Sequence, residues 1–167
     1  MAEPEKLIAC IGCGAPVPDS HGPTHPYIGA SPGCWAVFGE VLAKEYGEYG
    51  YPAVHRLTVD TYAVQHPGTP SRQSIQSVAV HLIGLYLALE RGREPHVITE
   101  ALGRAVQRGR SEFVWLEPPA SQGSVTVLDI VRAGDLAEHQ ALVGHWARLV
   151  WAAWAAHHAT VRSWAER

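Results

Sequence analysis

The sequence predicts an all-α fold, a helical bundle that follows a loop-rich N-terminal cap. Two observations predict the bundle. Apolar residues recur at spacings of three and four residues in several long segments, and Pro or Gly residues mark the ends of those segments. A third observation predicts the cap: the stretch from Cys10 to Trp35 contains five of the 12 prolines and five of the 16 glycines of the chain. Such a stretch cannot form a long helix.

The first helix is predicted to begin directly after Ser31. Ser31 is a favourable N-cap residue, and Pro32 suits the first helical position because its missing N–H is not needed there. An apolar face follows, and Gly47 and Gly50 end the helix. The members of this face are Trp35, Phe38, Val41, Leu42 and Tyr46.

Three further long helices are predicted, each ended by Pro or Gly. The second covers residues 52–66 and stops at a His-Pro-Gly sequence, and the third begins at Thr69 and Pro70 and runs to Arg91. The fourth covers residues 95–108 and closes at Gly109. After an irregular stretch, the sequence Thr-Val-Leu-Asp at 126–129 is typical of a capping box that opens a short helix.

The last helix is predicted to be continuous from residue 135 to residue 164. It carries an apolar and aromatic stripe of near-heptad spacing, which indicates one face packed against the bundle. The stripe consists of Leu142, Trp146, Val150, Trp154, His157, Val161 and Trp164. Together the elements predict a single domain over residues 1–167, with the cap at 1–33 and the bundle at 34–167.

Composition excludes several classes of protein. The formal net charge is −3, so the chain lacks the basic surface that nucleic-acid binding requires. No apolar run approaches the roughly 18 residues of a membrane helix, and the N-terminus lacks the apolar segment of a signal peptide, so a cytoplasmic location is expected. The common nucleotide-binding and hydrolase motifs are also absent from the sequence.

The cap contains a pattern of soft metal ligands. Cys10 and Cys13 have the Cys-x-x-Cys spacing of a zinc knuckle, which a redox dithiol also uses. Cys34 falls at the third position of the first helix, where free N–H groups favour a thiolate. A closed tetrahedral zinc site needs a fourth ligand. His66 is favoured because the antiparallel second helix ends beside Cys34, and His25, nearer in sequence, is the alternative.

A second constellation of polar residues is predicted inside the bundle. If the second and third helices form a hairpin, His55 is level with His81, and the two imidazoles could act as an acid–base pair. Asp60 could orient one of the imidazoles. His157, or His158 if the last helix is rotated, could join them. We therefore name His55, Asp60 and His81 as candidate catalytic residues.

Four phrases of the chain are similar to a bacterial family that is known only as a domain of unknown function. They are CIGCGAPVPDSHGPTHPYIGASPGCWAVFGEVLAKEYG, VHRLTVDTYAVQHPG, SIQSVAVHL and WAAWAAHHATVRSWA. The resemblance covers nearly the whole chain and implies no activity. It does imply that seven residues belong to the family pattern, namely Cys10, Cys13, Cys34, Asp60, His66, His81 and His158.

Two functions are consistent with these observations. The first is a zinc-binding helical bundle with a histidine-lined pocket that performs metal-dependent hydrolysis or thiol transfer, for which a small-molecule ligand in the bundle is expected. The alternative is a non-enzymatic, zinc-stabilised module that binds a small molecule or a protein. The two differ in coordination, because hydrolysis needs an open position on the metal and a structural site has none.

Overall fold

A computed structural model describes residues 6–109 and 112–167 of the chain. In these residues it contains a two-stranded sheet and seven α-helices, so the predicted all-α bundle with a loop-rich cap is confirmed. The strands are β1 (Leu7–Ala9) and β2 (Pro16–Pro18). The helices are α1 (Pro32–Tyr46), α2 (His55–Gln65), α3 (Arg72–Leu89), α4 (Pro95–Gly109), α5 (Val127–Val131), α6 (Leu136–Ala153) and α7 (His158–Ala165).

The small sheet lies in the cap and was not predicted. β1 and β2 pair antiparallel with Ile8 opposite Val17, and strands of three residues are too short to show a clear alternating pattern in sequence. Val17 is fully buried, and β2 contacts α1. Gly33 permits this contact, because a Cβ at that position would collide with the Pro18 carbonyl oxygen. The hairpin is therefore held tightly against the start of the first helix.

The bundle is built around α2 and α3. α2 contacts both α3 and α6, while α3 also contacts α4 and α7, and α1 contacts α5. Its largest fully buried side chains include Trp146, Trp154, Tyr62 and Leu82. In the described part of the chain, no helix combines the length and apolar character that a membrane span requires.

Several predicted helix bounds shift by a few residues. α2 begins at His55 rather than at residue 52. α3 begins at Arg72 because Ser71 is its N-cap, with the Ser71 hydroxyl accepting a hydrogen bond from the Ser74 N–H at 3.0 Å. The predicted capping box at Thr126 and Asp129 is present in full. Side-chain capping therefore marks the starts of α3 and α5, whereas α2 begins after Val54 without a side-chain cap.

The prediction of one continuous C-terminal helix is wrong. α6 ends at Ala153, and a single 3₁₀ turn (Ala155–His157) separates it from α7. Trp154 at the break is fully buried, and its indole N–H donates to the Gln122 side-chain oxygen at 2.8 Å. His158 stacks on Trp151 and donates from Nε2 to the Trp151 carbonyl at 2.8 Å. Tertiary contacts therefore stabilise this break, and its residues AWAAHHA contain no Gly or Pro.

Candidate metal centre

The turn between β1 and β2 holds the first two cysteines. The Cys10 N–H donates to the Ala15 carbonyl at 2.8 Å, and the Gly14 N–H donates to the Cys10 carbonyl at 2.9 Å. Gly14 has a φ of 75°, which favours glycine. A Cβ at Gly12 would collide with the Gly29 carbonyl and the His66 ring. The glycines of the knuckle therefore serve both the turn and its close approach to the bundle.

The third cysteine lies in the first turn of α1. Because α1 begins at Pro32, Cys34 occupies the third helical position, as predicted, and it is fully buried. Ser31 stands at the predicted N-cap position, but its hydroxyl makes no capping bond. It accepts instead from the Ile11 N–H at 2.9 Å. Ser31 therefore ties the start of α1 to the hairpin turn that carries the other two sulfurs.

His66 directly follows α2 and is fully buried. Its Nδ1–H donates to the Tyr62 carbonyl at 2.7 Å, and its Nε2 lies 3.4 Å from Cys34 Sγ. When His66 is neutral with its proton on Nδ1, the lone pair on Nε2 is directed at the cysteines. A carbonyl partner for the second ring nitrogen is the usual arrangement around a metal-binding histidine.

The ligand atoms of Cys10, Cys13, Cys34 and His66 all lie within 4.8 Å of one another, and these four residues form the Cys3His cluster. Cys13 Sγ and Cys34 Sγ are 4.0 Å apart, and all three cysteines are free. A tetrahedral zinc ion with bonds of about 2.3 Å to sulfur places its sulfur ligands about 3.8 Å apart. The donor atoms of the cluster therefore have the chemistry and the spacing of a tetrahedral zinc site.

The groups of the cluster shift one another's pKa values. The pKa of Cys10 is lowered because Cys13 and Cys34 hydrogen-bond to its sulfur, whereas the pKa of Cys34 is raised by its bonds to Cys10 and Cys13 and by burial. Desolvation acts to lower the pKa of His66, but hydrogen bonds to Cys10 and Cys13 outweigh it and raise that pKa to about 9. One thiolate is thus stabilised by its neighbours, and complete deprotonation of the cluster requires a compensating positive charge.

His25, the alternative fourth ligand, lies outside the Cys3His cluster. Its Nδ1 accepts from the backbone N–H groups of Tyr27 and Ile28 at 3.4 and 3.3 Å, and its ring packs against Trp35. Desolvation lowers the pKa of His25. The residue lines a cavity of about 1170 Å³ next to the hairpin turn, and Cys10 and Cys13 line the same cavity.

The structure does not bring the candidate catalytic residues together at one point. Asp60, rather than His55, is level with His81, and His81 Nδ1 lies 2.7 Å from Asp60 Oδ1. The expected pairing of His55 with His81 fails because the connection from the end of α2 at Gln65 to the start of α3 at Arg72 is longer than predicted, and His55 contacts Glu45 instead. Asp60 and His81 form a pair at the α2–α3 interface, and His55 lies in a different group.

The group that contains His55 is a buried polar cluster that was not predicted from the sequence. Glu45 is fully buried and accepts from His55 Nδ1 at 2.6 Å, from the Thr58 hydroxyl at 2.6 Å and from His139 Nε2 at 2.7 Å. The cluster joins α1, α2 and α6. Glu45 lies seven residues after Phe38 on the apolar face, and this spacing was the signal that could have identified it. Tyr46, which was assigned to that face, is 57% exposed.

The two C-terminal histidines lie outside both groups. His157 donates from Nε2 to the Glu117 carbonyl at 2.8 Å, and His158 stabilises the break between α6 and α7. Both side chains bond to backbone carbonyls, and neither shares a hydrogen-bond partner with His55 or Asp60.

The fold and the site define a helical protein with a candidate Cys3His metal centre between its cap and its bundle. The family model described as "Family of unknown function (DUF5946)" matches residues 8–155. The chain therefore belongs to this family of unknown function. No curated protein and no solved structure matches the chain.

Proposed function

We propose that the Cys3His cluster binds one zinc ion as a structural centre, and that the protein is a zinc-stabilised module that binds a small molecule. The observation that carries this proposal is that four ligand atoms from three separate segments lie within 4.8 Å of one another. Three thiolates and one imidazole are a ligand set of structural zinc sites, and the soft sulfur ligands disfavour magnesium and calcium.

The metal would join parts of the chain that are far apart in sequence. The three-residue strands of the hairpin are too short to be stable alone. The ion would link their turn to the start of α1 through Cys34 and to the end of α2 through His66. Because it cross-links residues far apart in sequence, it would restrict the unfolded chain as well as the native cap.

The same coordination argues against metal-dependent hydrolysis. A hydrolytic zinc ion keeps a coordination position for water, whereas three cysteines and one histidine complete a tetrahedron. Cys34 and His66 are fully buried, and Cys10 is 3% exposed. We therefore assign a stabilising role to the metal, and we assign ligand binding to the cavities of the protein rather than to the metal.

Thiol transfer is a second candidate function, supported by the position of Cys13. This cysteine is only partly buried and lines the cavity of about 1170 Å³. Its thiolate would attack an electrophilic carbon, so that a carbon–sulfur bond forms and the leaving group departs with its electron pair. Labelling of Cys13 by iodoacetamide ahead of Cys10 and Cys34, with zinc retained, would support transfer. Equal labelling of the three would exclude it.

Metal analysis and cobalt substitution test the structural proposal. Elemental analysis of the purified full chain should give about one zinc per chain. Cobalt(II) should then produce a tetrahedral thiolate spectrum that azide does not change, since no position is open for an added ligand. His25→Ala is the matched control and should keep both properties. A chain without transition metal, or a cobalt spectrum that shifts with azide, would contradict the proposal.

A further inference from the structure

A second cavity, here called the polar cleft, lies on α3. It shares Tyr27 and Gln73 with the larger cavity, but none of the three cysteines lines it. Its volume is about 560 Å³, within the usual range for small-ligand sites. Tyr27 of the cap and Val106 of α4 form its sides. The remaining lining residues share one face of α3, at helical spacings of three and four, and are Arg72, Gln73, Gln76, Ser77, Val80 and His81.

The polar cleft has a defined charge and many hydrogen-bonding groups. Arg72 supplies a positive charge, and among the described lining residues there is no carboxylate. Between Arg72 and His81 lie two amides and a hydroxyl, which can donate to and accept from the hydroxyl groups of a ligand. The cleft therefore offers hydrogen-bonding partners to an anionic, hydroxyl-rich molecule, whereas a cation would find no carboxylate among the described lining residues.

His81, at one end of the cleft, is oriented by a buried carboxylate. Asp60 is fully buried, and its Oδ1 lies 2.7 Å from His81 Nδ1 and accepts from Arg56 Nη2 at 2.8 Å. Asp60 Oδ2 accepts from Arg56 Nε at 3.1 Å. Gly84 gives the carboxylate its space, because a Cβ there would lie 2.8 Å from Asp60 Cγ. The helices are thus packed so closely that the carboxylate cannot move away from the imidazole.

This arrangement leaves one nitrogen of His81 available to a ligand. A carboxylate oxygen accepts hydrogen bonds, so the Asp60 contact assigns a proton to His81 Nδ1, and in the neutral imidazole the lone pair is then on Nε2. The His81 side chain is 18% exposed, and Nε2 is not among the buried side-chain atoms of the described residues that lack a partner, so Nε2 keeps some access to solvent. In the described part of the chain Nε2 has no hydrogen-bond partner. His81 therefore presents a hydrogen-bond acceptor to the polar cleft.

We propose that the polar cleft binds a phosphorylated or carboxylated polyol, with Arg72 at its anionic group and His81 Nε2 accepting from a hydroxyl. Arg72 and His81 are nine positions apart, which corresponds to about 13.5 Å along the axis of α3. A compact anion held by Arg72 would not extend along this length of helix, whereas a sugar phosphate carries hydroxyl groups away from its anionic group. This deepens the proposed binding function and does not involve the metal ligands.

Nuclear magnetic resonance titration of the full chain with ribose 5-phosphate, gluconate and inorganic phosphate tests the proposal. Ribose 5-phosphate, gluconate or both should cause saturable shifts at Arg72 and at His81, and inorganic phosphate should shift Arg72 only. Arg72→Gln and His81→Gln should each weaken the binding at least about tenfold. Both variants should fold, since Arg72 is exposed and Asp60 keeps its two bonds from Arg56 in the His81 variant. Arg93→Gln, at an exposed position outside the cleft, is the control and should bind normally.

Three results would overturn the proposal. These are no saturable shift with either polyol anion, binding that neither cleft variant weakens, and shifts confined to residues outside the cleft. A nitrogen-15 spectrum that places the His81 proton on Nε2 would refute the acceptor role specifically. Zinc content is measured separately on the same samples, so a failure of ligand binding is distinguishable from a failure of the zinc site.

Discussion

Replacing Gly84 by alanine tests the packing that holds Asp60 beside His81. In an open helix position, Gly→Ala stabilises a protein by about 0.8–1 kcal/mol through helix propensity. At Gly84 the new Cβ would instead lie 2.8 Å from Asp60 Cγ and closer still to Oδ2. Relief of this overlap would displace the buried Asp60 carboxylate and disturb its contacts with Arg56 and His81.

The expected size of the effect follows from these contacts. Loss of one hydrogen bond to a charged group costs about 1.5–3 kcal/mol, and the gain in propensity offsets about 1 kcal/mol of this. We therefore expect Gly84→Ala to lower the free energy of unfolding by about 0.5–2 kcal/mol. For a chain of this size, that corresponds to a decrease in Tm of roughly 1–8 °C.

Gly39→Ala is the matched control for this experiment. Gly39 lies within α1, is exposed, and a Cβ there meets nothing within 4 Å. This variant should raise the free energy of unfolding by about 0.8–1 kcal/mol. Urea denaturation of the two variants and the parent measures both values. If Gly84→Ala is as stable as Gly39→Ala, the close packing of Asp60 against α3 is not as described.

Three further predictions concern the Cys3His cluster. Chelation of the metal should reduce hydrogen-exchange protection in residues 10–34 before it affects the bundle helices, because the bundle has its own apolar core. His66→Ala should lower zinc affinity at least about tenfold more than His25→Ala, measured by competition with a chelator. Zinc binding to the metal-free chain at pH 7.5 should release at least about two protons, measured calorimetrically in buffers of different ionisation enthalpy. The raised pKa values of Cys34 and His66 keep both groups protonated at that pH without metal, and both must lose a proton to bind zinc.

Each of these measurements has an outcome that contradicts the assignment. Uniform loss of protection across cap and bundle would show that the metal is not a local link. Loss of zinc from His25→Ala, with zinc retained by His66→Ala, would exchange the roles of the two histidines. Calorimetric heats that do not change with the buffer would show that Cys34 and His66 are already deprotonated before the metal binds.

Much of the metal centre could be predicted from sequence because its geometry is local. The Cys-x-x-Cys spacing and its glycines determine the turn, and Pro32 at the start of α1 determines the position of Cys34. His66 precedes a proline that cannot continue the helix, so it lies at the end of α2. One assumption of antiparallel packing was enough to place His66 beside Cys34, and the structure has the two ligand atoms 3.4 Å apart.

The remaining features depend on contacts between segments far apart in the chain. The break at Trp154 is stabilised by Gln122 and by the stacking of His158 on Trp151, and neither contact leaves a stop signal in the sequence. The pairing of Asp60 with His81 depends on the register between α2 and α3. An error of a few residues in a predicted helix bound changes which residues of the two helices are level.

The buried contact between Glu45 and His139 is the clearest example of a contact that the sequence does not reveal. A sequence pattern indicates which side of a helix is apolar, but it does not identify the residue on another helix that will neutralise a buried charge. The local sequence therefore determined the helices, their caps and the thiol positions, because backbone sterics and short-range hydrogen bonds act within a few residues. Only the tertiary structure decided the partners of Glu45, Asp60 and Trp154, because a buried polar group is satisfied by whichever side chain the packing brings to it.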